Sequence, residues 1–211
     1  MTPTLQTPIH AARVLVLVSG EGSNMRALVE AADEPAWGGS VVAVGADRAC
    51  AGIDWARQRG IPVFVHPYSR GDDRAQWDEH LAGLMAEYQP DLIVCAGYLK
   101  LLGPAVLDSF EGRILNTHNS LLPAFPGVHG PADAIDAGVK VSGATLFFVD
   151  PGVDTGRIVA QTAVPVLDED DADSLLNRIK VAERVQLVEA VGRLIREGWT
   201  TDGRRVRFGE F

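Results

Sequence analysis

Asn116 and His118 are separated by one residue in the run Asn116-Thr117-His118-Asn119-Ser120-Leu121-Leu122-Pro123. In extended backbone, alternate side chains point the same way, so these two share a face. An Asn amide can donate to a carbonyl oxygen, and an imidazole can donate a proton or stabilise charge near neutral pH. Asp154, in the turn Pro151-Gly152-Val153-Asp154-Thr155-Gly156, is a candidate third group. The three types together suit acyl transfer: Asn and His stabilise a tetrahedral oxyanion, and Asp orients the His or relays a proton. An incoming amine would make a nucleophilic Ser or Cys unnecessary. Each residue also has a plain structural reading, His118 as a satisfied core histidine and Asp154 as turn chemistry. Periodicity does not place Asp154 beside His118.

A second candidate lies in Ser19-Gly20-Glu21-Gly22-Ser23-Asn24, where a first strand gives way to a first helix. Glycines allow a tight turn there, and the free N–H groups of a helix start attract anions. The loop lacks the Lys-Ser/Thr of a Walker A motif and the final glycine of a dinucleotide fingerprint. It therefore suits a monophosphate-sized group, or else an ordinary turn with Ser23 or Asn24 capping the helix.

These loops need elements to position them. Val14–Val18 is a continuous apolar run, as in a strand buried on both faces of a parallel sheet. Helix is expected over 25–32, 49–58, from about Asp73 to Tyr88 (capped by Asp72 or Asp73) and after Pro104, with strands at 41–45, 61–65 and 91–95. That alternation implies an α/β fold: an open, twisted, mainly parallel sheet with helices on both faces. Ile114-Leu115 reads as a short strand before a Pro- and Gly-rich loop at 117–130. Antiparallel additions follow, with β runs at 142–149 and 158–166. An acidic loop at 168–173 precedes a helix from Ser174 to about Glu197, with Leu175, Ile179, Ala182, Val185, Val188, Leu194 and Ile195 as its apolar face. A small hairpin around Asp202-Gly203 closes the pattern.

With 211 residues, 46% of them hydrophobic, the chain can bury about 70% of its extended surface without disulfides or a structural metal. Its net charge of −9 argues against a general nucleic-acid or anionic-membrane binder. Cys50 and Cys95 match no metal or redox spacing and read as buried core thiols of a reducing compartment. With no signal peptide and no membrane-length apolar run, a cytoplasmic protein is expected. The acidic run is expected to be solvated.

The segments RVLVLVSGEGSNMRAL (13–28), AGYLKLL (96–102), ILNTHNSLLPAFPGVHG (114–130) and VDTG (153–156) occur in the order found in the phosphoribosylglycinamide formyltransferases. From about residue 13 to the last long helix, the chain resembles that family. The resemblance implies one Rossmann-like formyltransferase domain over 1–211, with the ribonucleotide phosphate site in its N-terminal half and the folate site and catalytic loops in its C-terminal half. It implies formyl transfer from 10-formyltetrahydrofolate to the amine of glycinamide ribonucleotide, in de novo purine synthesis and without a metal. Those two small molecules are then the expected partners, with no nucleic acid and no membrane; a homodimer is left open.

Gly22, Ser23 and Asn24 match the phosphate segment, and Asn116, His118 and Asp154 match the catalytic trio. Lys180 and Glu183 match ribonucleotide contacts, although by themselves they read as a solvated i,i+3 pair on the polar face of the last helix. Leu99, Lys100, Leu101, Leu102, Asn116, Asp150, Pro151, Gly152, Val153 and Asp154 match the folate pocket. Arg74 and Lys100 match basic positions near the glutamyl tail. The chain departs from the family at Asn119 (often Pro), Lys100 (often Arg) and Phe147 (commonly His). Lys keeps the charge at 100 but loses the bidentate fork. Since both substrates are anionic, a positive cleft is expected on an otherwise negative surface.

Other readings are a different formyl-folate enzyme or a non-catalytic nucleotide- or folate-binding module. Methionyl-tRNA formyltransferase shares the Asn-x-His and Asp but has an added C-terminal domain and needs tRNA, which the acidic balance disfavours. Formyltetrahydrofolate deformylase carries an N-terminal regulatory domain, for which the stretch before Arg13 leaves no space.

Overall fold

A computed structural model describes residues 4–209. The chain divides into two compact units, Ile9–Leu115 and a second that holds residues 4–8 and 116–209. The architecture is mixed α/β, parallel throughout the paired strands of the first unit and antiparallel where the second unit begins to add hairpins.

In the first unit, β2 (Ala12–Val18), β3 (Gly39–Ala46), β4 (Val63–Val65) and β5 (Leu92–Cys95) lie in the order β4-β3-β2-β5. The run Val14–Val18 is fully buried, which is why it carries no polar alternation. Four helices connect and follow these strands: α1 (Ser23–Ala32), α2 (Ala51–Gln58), α3 (Arg74–Ala86) and α4 (Pro104–Ser109). Asp73 caps α3, accepting from the N–H groups of Ala75 and Gln76. At α1 neither Ser23 nor Asn24 is the cap. Gly22 takes that position in the left-handed region, φ 71°, which glycine enters without a Cβ penalty. Cys95 is buried, and burial pushes its thiol up to about 12; Cys50 is only half-buried rather than a core thiol.

The strand β6 (Ile114–His118) starts in the first unit, where the N–H of Ile93 donates to the carbonyl of Arg113, and ends in the second. It is longer than the two apolar residues at its start suggest, and the loop begins only at Asn119. A helix that the sequence reading missed, α5 (Gly130–Asp136), closes that loop, with Pro131 in its first turn. Strands β7 (Val141–Phe148) and β8 (Ile158–Pro165) pair antiparallel, with a register shift between Leu146 and Phe147. The order in this unit is β6-β7-β8. Phe147, where a His was common in the resembling family, is buried.

The helix α6 (Ala172–Glu197) packs Leu175 and Ile179 against Ala134, Ala144 and Val164. Its buried positions continue through Glu183, Leu187, Val191, Leu194 and Ile195. Val185, expected on the apolar face, is 67% exposed, and Glu183, expected on the polar face, is 4% exposed. The stripe follows i, i+4, i+8 from Leu175, and that rotation puts the acid inside. After α6, β9 (Trp199–Asp202) and β10 (Arg205–Phe208) form the expected hairpin. An unforeseen strand, β1 (Thr4–Gln6), pairs with the other edge of β9.

The acidic loop is not simply solvated, because its residues build the start of α6. Asp171 and Ser174 form a reciprocal capping box. Arg178 grips both oxygens of Asp170 at 2.6 and 2.7 Å, and this hydrogen bonding holds the carboxyl well below the usual carboxylate range. A depressed folded-state value stabilises the fold above the unfolded carboxylate pKa of about 4, and the effect is lost as acid protonates the group. Asp170→Asn is therefore expected to lower Tm at neutral pH, with the gap to wild type closing as the pH drops below about 4. Thermal unfolding followed across that range checks this, and a gap that stays constant in acid would assign the loss to something other than the ion pair.

Candidate active site

In the second unit, β6 delivers Asn116 and His118 on one strand face, as their alternation requires. Asn116 is half-buried and His118 is 8% exposed. The Nε2 of His118 lies 2.8 Å from the carbonyl oxygen of Phe125. A carbonyl only accepts, so Nε2 carries the hydrogen. The Nδ1 of the same ring lies 3.7 Å from Oδ2 of Asp154, close enough for an ion pair when the ring is protonated and too long for a hydrogen bond. That oxygen also accepts from the N–H of Gly127 at 2.7 Å, which ties the His118 loop to the Asp154 turn.

Asp154 sits at φ 55°, a left-handed conformation uncommon for a residue with a Cβ. Its turn is held from within: Oδ1 of Asp150 accepts from the N–H of Gly152 at 3.1 Å and from the hydroxyl of Thr155 at 2.6 Å. Gly156 is required sterically, since a Cβ there would meet the carbonyl oxygen of Phe148 at 1.7 Å. Thus Asp150 and Gly152 of the expected folate loop bond within one turn that also holds Thr155, Asp154 bonds out of it to Gly127, and residues 151–153 are exposed on it.

The opposite face of the β6 end belongs to Glu183. Its Oε1 accepts from the hydroxyl of Thr117 at 2.6 Å and from the amide of Asn119 at 3.0 Å. The two residues flanking His118 are thus anchored on one carboxylate oxygen of α6. Glu183 is buried rather than solvated, while Lys180 stays partly exposed one turn earlier. Sequence alone marks Glu183 as polar and offers no sign that Thr117 and Asn119 turn toward it.

The remaining site candidates lie in the first unit. Gly22, Ser23 and Asn24 stand at the start of α1, and Gly22 and Asn24 are buried while Ser23 is exposed. A Cβ on Gly22 would meet the Met25 side chain at 2.8 Å and the Gly52 Cα at 3.2 Å, so the turn packs tightly on α2. Further along, Leu99 and Leu101 are each 66% exposed, unusual for leucines and suited to covering a flat apolar ligand. Lys100 and Leu102 are half-buried between and beside them.

Three devices fix this loop. The N–H of Leu99 donates to Oγ of Ser19 at 2.9 Å, Arg74 donates to the carbonyl of Leu101, and buried Asp78 accepts from the N–H groups of Gly103 and Val106. Arg74 also stacks over Trp77 and Tyr68, its guanidinium 4.4 and 5.2 Å from the ring centroids, and Lys100 lies 5.6 Å from the Tyr68 ring. The two expected tail-binding cations therefore share one aromatic platform. Tyr68, Trp77 and Asp78 carry no signal of this role in the sequence, and Ser19 is marked there only as part of the glycine loop. Among the described residues no group of His, Cys, Asp and Glu could hold a metal ion.

The formyl transferase family model matches residues 12–191. Over 209 residues the chain is 49% identical to a phosphoribosylglycinamide formyltransferase of Mycobacterium tuberculosis, covering 98% of this chain and 96% of that protein. It is 35% identical over 192 residues to the Escherichia coli phosphoribosylglycinamide formyltransferase, covering 90% and 88% of the two chains. Among solved structures, glycinamide ribonucleotide transformylase 1 from Symbiobacterium toebii superposes with a TM-score of 0.91 at 39% identity, covering 95% of each chain.

The Glu183 clamp makes a quantitative expectation. A hydrogen bond to a charged acceptor contributes about 1.5–3 kcal/mol. Thr117→Val is expected to destabilise the protein within that range, Asn119→Ala somewhat less given its longer bond, and the pair non-additively because both donors use one oxygen. Denaturant unfolding of the double-mutant cycle measures this, and strict additivity would show that the two donors do not share Glu183.

Proposed function

The chain belongs to the formyl transferase family, and we propose from that premise that it transfers a formyl group from 10-formyltetrahydrofolate to the amine of glycinamide ribonucleotide. The observation that carries the reading is the His118–Asp154 pair, a nearly enclosed imidazole with one nitrogen fixed by the Phe125 carbonyl and the other facing a carboxylate at 3.7 Å. The products are formylglycinamide ribonucleotide and tetrahydrofolate, and the step belongs to purine synthesis. The formyl donor is a folate derivative and acts as a co-substrate.

In this reading the uncharged amine attacks the formyl carbon. A carbon–nitrogen bond forms, and the carbonyl electrons move onto oxygen. The amide of Asn116 donates to that oxyanion, and His118, protonated on Nδ1, supplies positive charge beside it. Asp154 supports the imidazolium electrostatically, as a carboxylate does for a histidine that must carry charge. Collapse of the tetrahedral centre expels N10 of the folate, and the proton lost by the amine reaches it by way of Nδ1 or a water held there. No side-chain nucleophile takes part. Holding both substrates in place contributes much of the acceleration.

We assign binding roles on the same basis. Gly22, Ser23 and Asn24 take the phosphate with backbone N–H groups at the start of α1, and Lys180 and Glu183 take the rest of the ribonucleotide. Leu99, Lys100, Leu101 and Leu102, with Asn116 and residues 150–154, take the folate, and Arg74 and Lys100 face its carboxylate tail. Cys50 and Cys95 are unpaired, which supports a reducing, cytoplasmic setting.

The direct test mixes the purified protein with both substrates and follows tetrahydrofolate formation. Activity is expected in the wild type, with losses of about 10²-fold or more in kcat for folded His118→Ala and Asp154→Asn. No product under conditions where a reference transferase works would refute the proposed reaction. Near-wild-type turnover in either variant would remove the role given to that residue.

A further inference from the structure

The hairpin β9–β10 lies outside residues 12–191, the segment that the family model matches. Two arginines bind it reciprocally to the turn that carries Asp154. Arg204, in the hairpin's own turn, donates from Nη2 to the carbonyl oxygens of Thr155 at 3.0 Å and Gly156 at 3.3 Å, the two residues that follow Asp154. Arg157, next in the chain, donates from Nε to the carbonyl of Gly203 at 2.8 Å. Trp199, which opens the hairpin, stacks on Phe148 at 5.5 Å between centroids, and Phe148 is the last residue of β7 before the turn begins. The hairpin therefore grips the turn at its entry and at its exit.

Within the turn, Asp150 holds the N–H of Gly152 and the hydroxyl of Thr155, and neither bond takes up a backbone carbonyl beyond Asp154. The carbonyls of residues 155 and 156 are where the chain leaves Asp154 and where the left-handed conformation at φ 55° must be absorbed. Charge-assisted hydrogen bonds from a planar guanidinium to two successive carbonyls are well suited to fix that exit. We infer that the β9–β10 hairpin is a strap that sets the position of Asp154 opposite His118, with Arg204 as its positioning residue for formyl transfer. Arg204 touches no reacting atom; it acts through the backbone of Thr155 and Gly156. The inference rests on the catalytic role proposed for Asp154.

Steady-state kinetics on the full chain test it, together with hydrogen–deuterium exchange of the amides at 152–157. Displacing a catalytic group by a fraction of an ångström costs on the order of tenfold in rate. Arg204→Gln is expected to lower kcat about tenfold, leave KM for glycinamide ribonucleotide unchanged, displace the pH profile of kcat and speed amide exchange in the turn. Arg204→Lys is expected to recover part of the rate, since an ammonium keeps the charge and the donors of Nη2 but on a flexible stem that is less well preorganised. The exposed neighbour Arg205, changed to Gln, is expected to match wild type in all four readouts.

A folded Arg204→Gln with wild-type kcat and pH profile overturns the inference, as does an equal loss in Arg205→Gln. If Arg204→Gln does not fold, Arg157→Gln tests the other half of the strap, and wild-type kcat in that variant and in Arg204→Lys overturns it too. Full turnover in Asp154→Asn would instead defeat the catalytic reading, while accelerated exchange in Arg204→Gln would still report the strap.

Discussion

An imidazole enclosed by protein needs an acceptor for every N–H it carries, and His118 has two acceptors of different kinds. The carbonyl of Phe125 fixes one nitrogen and thereby the ring plane, and the carboxylate of Asp154 faces the other without closing a hydrogen bond. Much of the second unit exists to keep those acceptors where they are. The loop after β6 must return to bring Phe125 and Gly127 over the ring, and Gly127 then ties that loop to Asp154. The turn beyond β7 must hold an aspartate in a conformation it would not choose. The 3.7 Å gap matters chemically, because a closed pair would leave Nδ1 nothing to offer a substrate.

Buried carboxylates do much of the remaining positioning. Asp78 gathers two backbone N–H groups at the start of α4, and Glu183 gathers two side chains at the end of β6. Asp47, 3% exposed and bonded to Arg48, keeps its carboxyl below the usual range even though burial pulls the other way. An ionised acid accepts several hydrogen bonds at once, so one side chain can organise a loop that has no regular structure of its own. The net charge of −9 therefore overstates the negative charge of the surface. Part of that acidity is internal and already matched to donors.

What could be read in advance follows from how local each signal is. Val14–Val18 announces itself because both faces are buried and every residue is apolar, and the start of α3 because Asp73 bonds within its own turn. The end of β6 hides for a functional reason: Asn116, Thr117 and His118 are polar where a strand is expected to be apolar, so the pattern reads as loop. Glu183 hides because its donors come from more than sixty positions away in the chain. The same holds for His118 and Asp154, whose residue types suggested a joint role but whose proximity is made only by tertiary structure. The three residues of β1 carry no recognisable pattern at all, since their partner is at the other end of the sequence.

That last pairing has a consequence for the order in which the molecule is assembled. Thr4 lies opposite Thr201, so the three-stranded sheet β1-β9-β10 joins some of the first described residues to some of the last. Closing so long a loop early in folding is entropically unfavourable, and during synthesis it cannot begin until residue 201 has left the ribosome. The strands and helices of the first unit have no such dependence and can pack while translation continues. A nascent chain can thus hold its apolar core before it holds its arginine-strapped turn, and formyl-transfer competence waits on the emergence of residues 199–208.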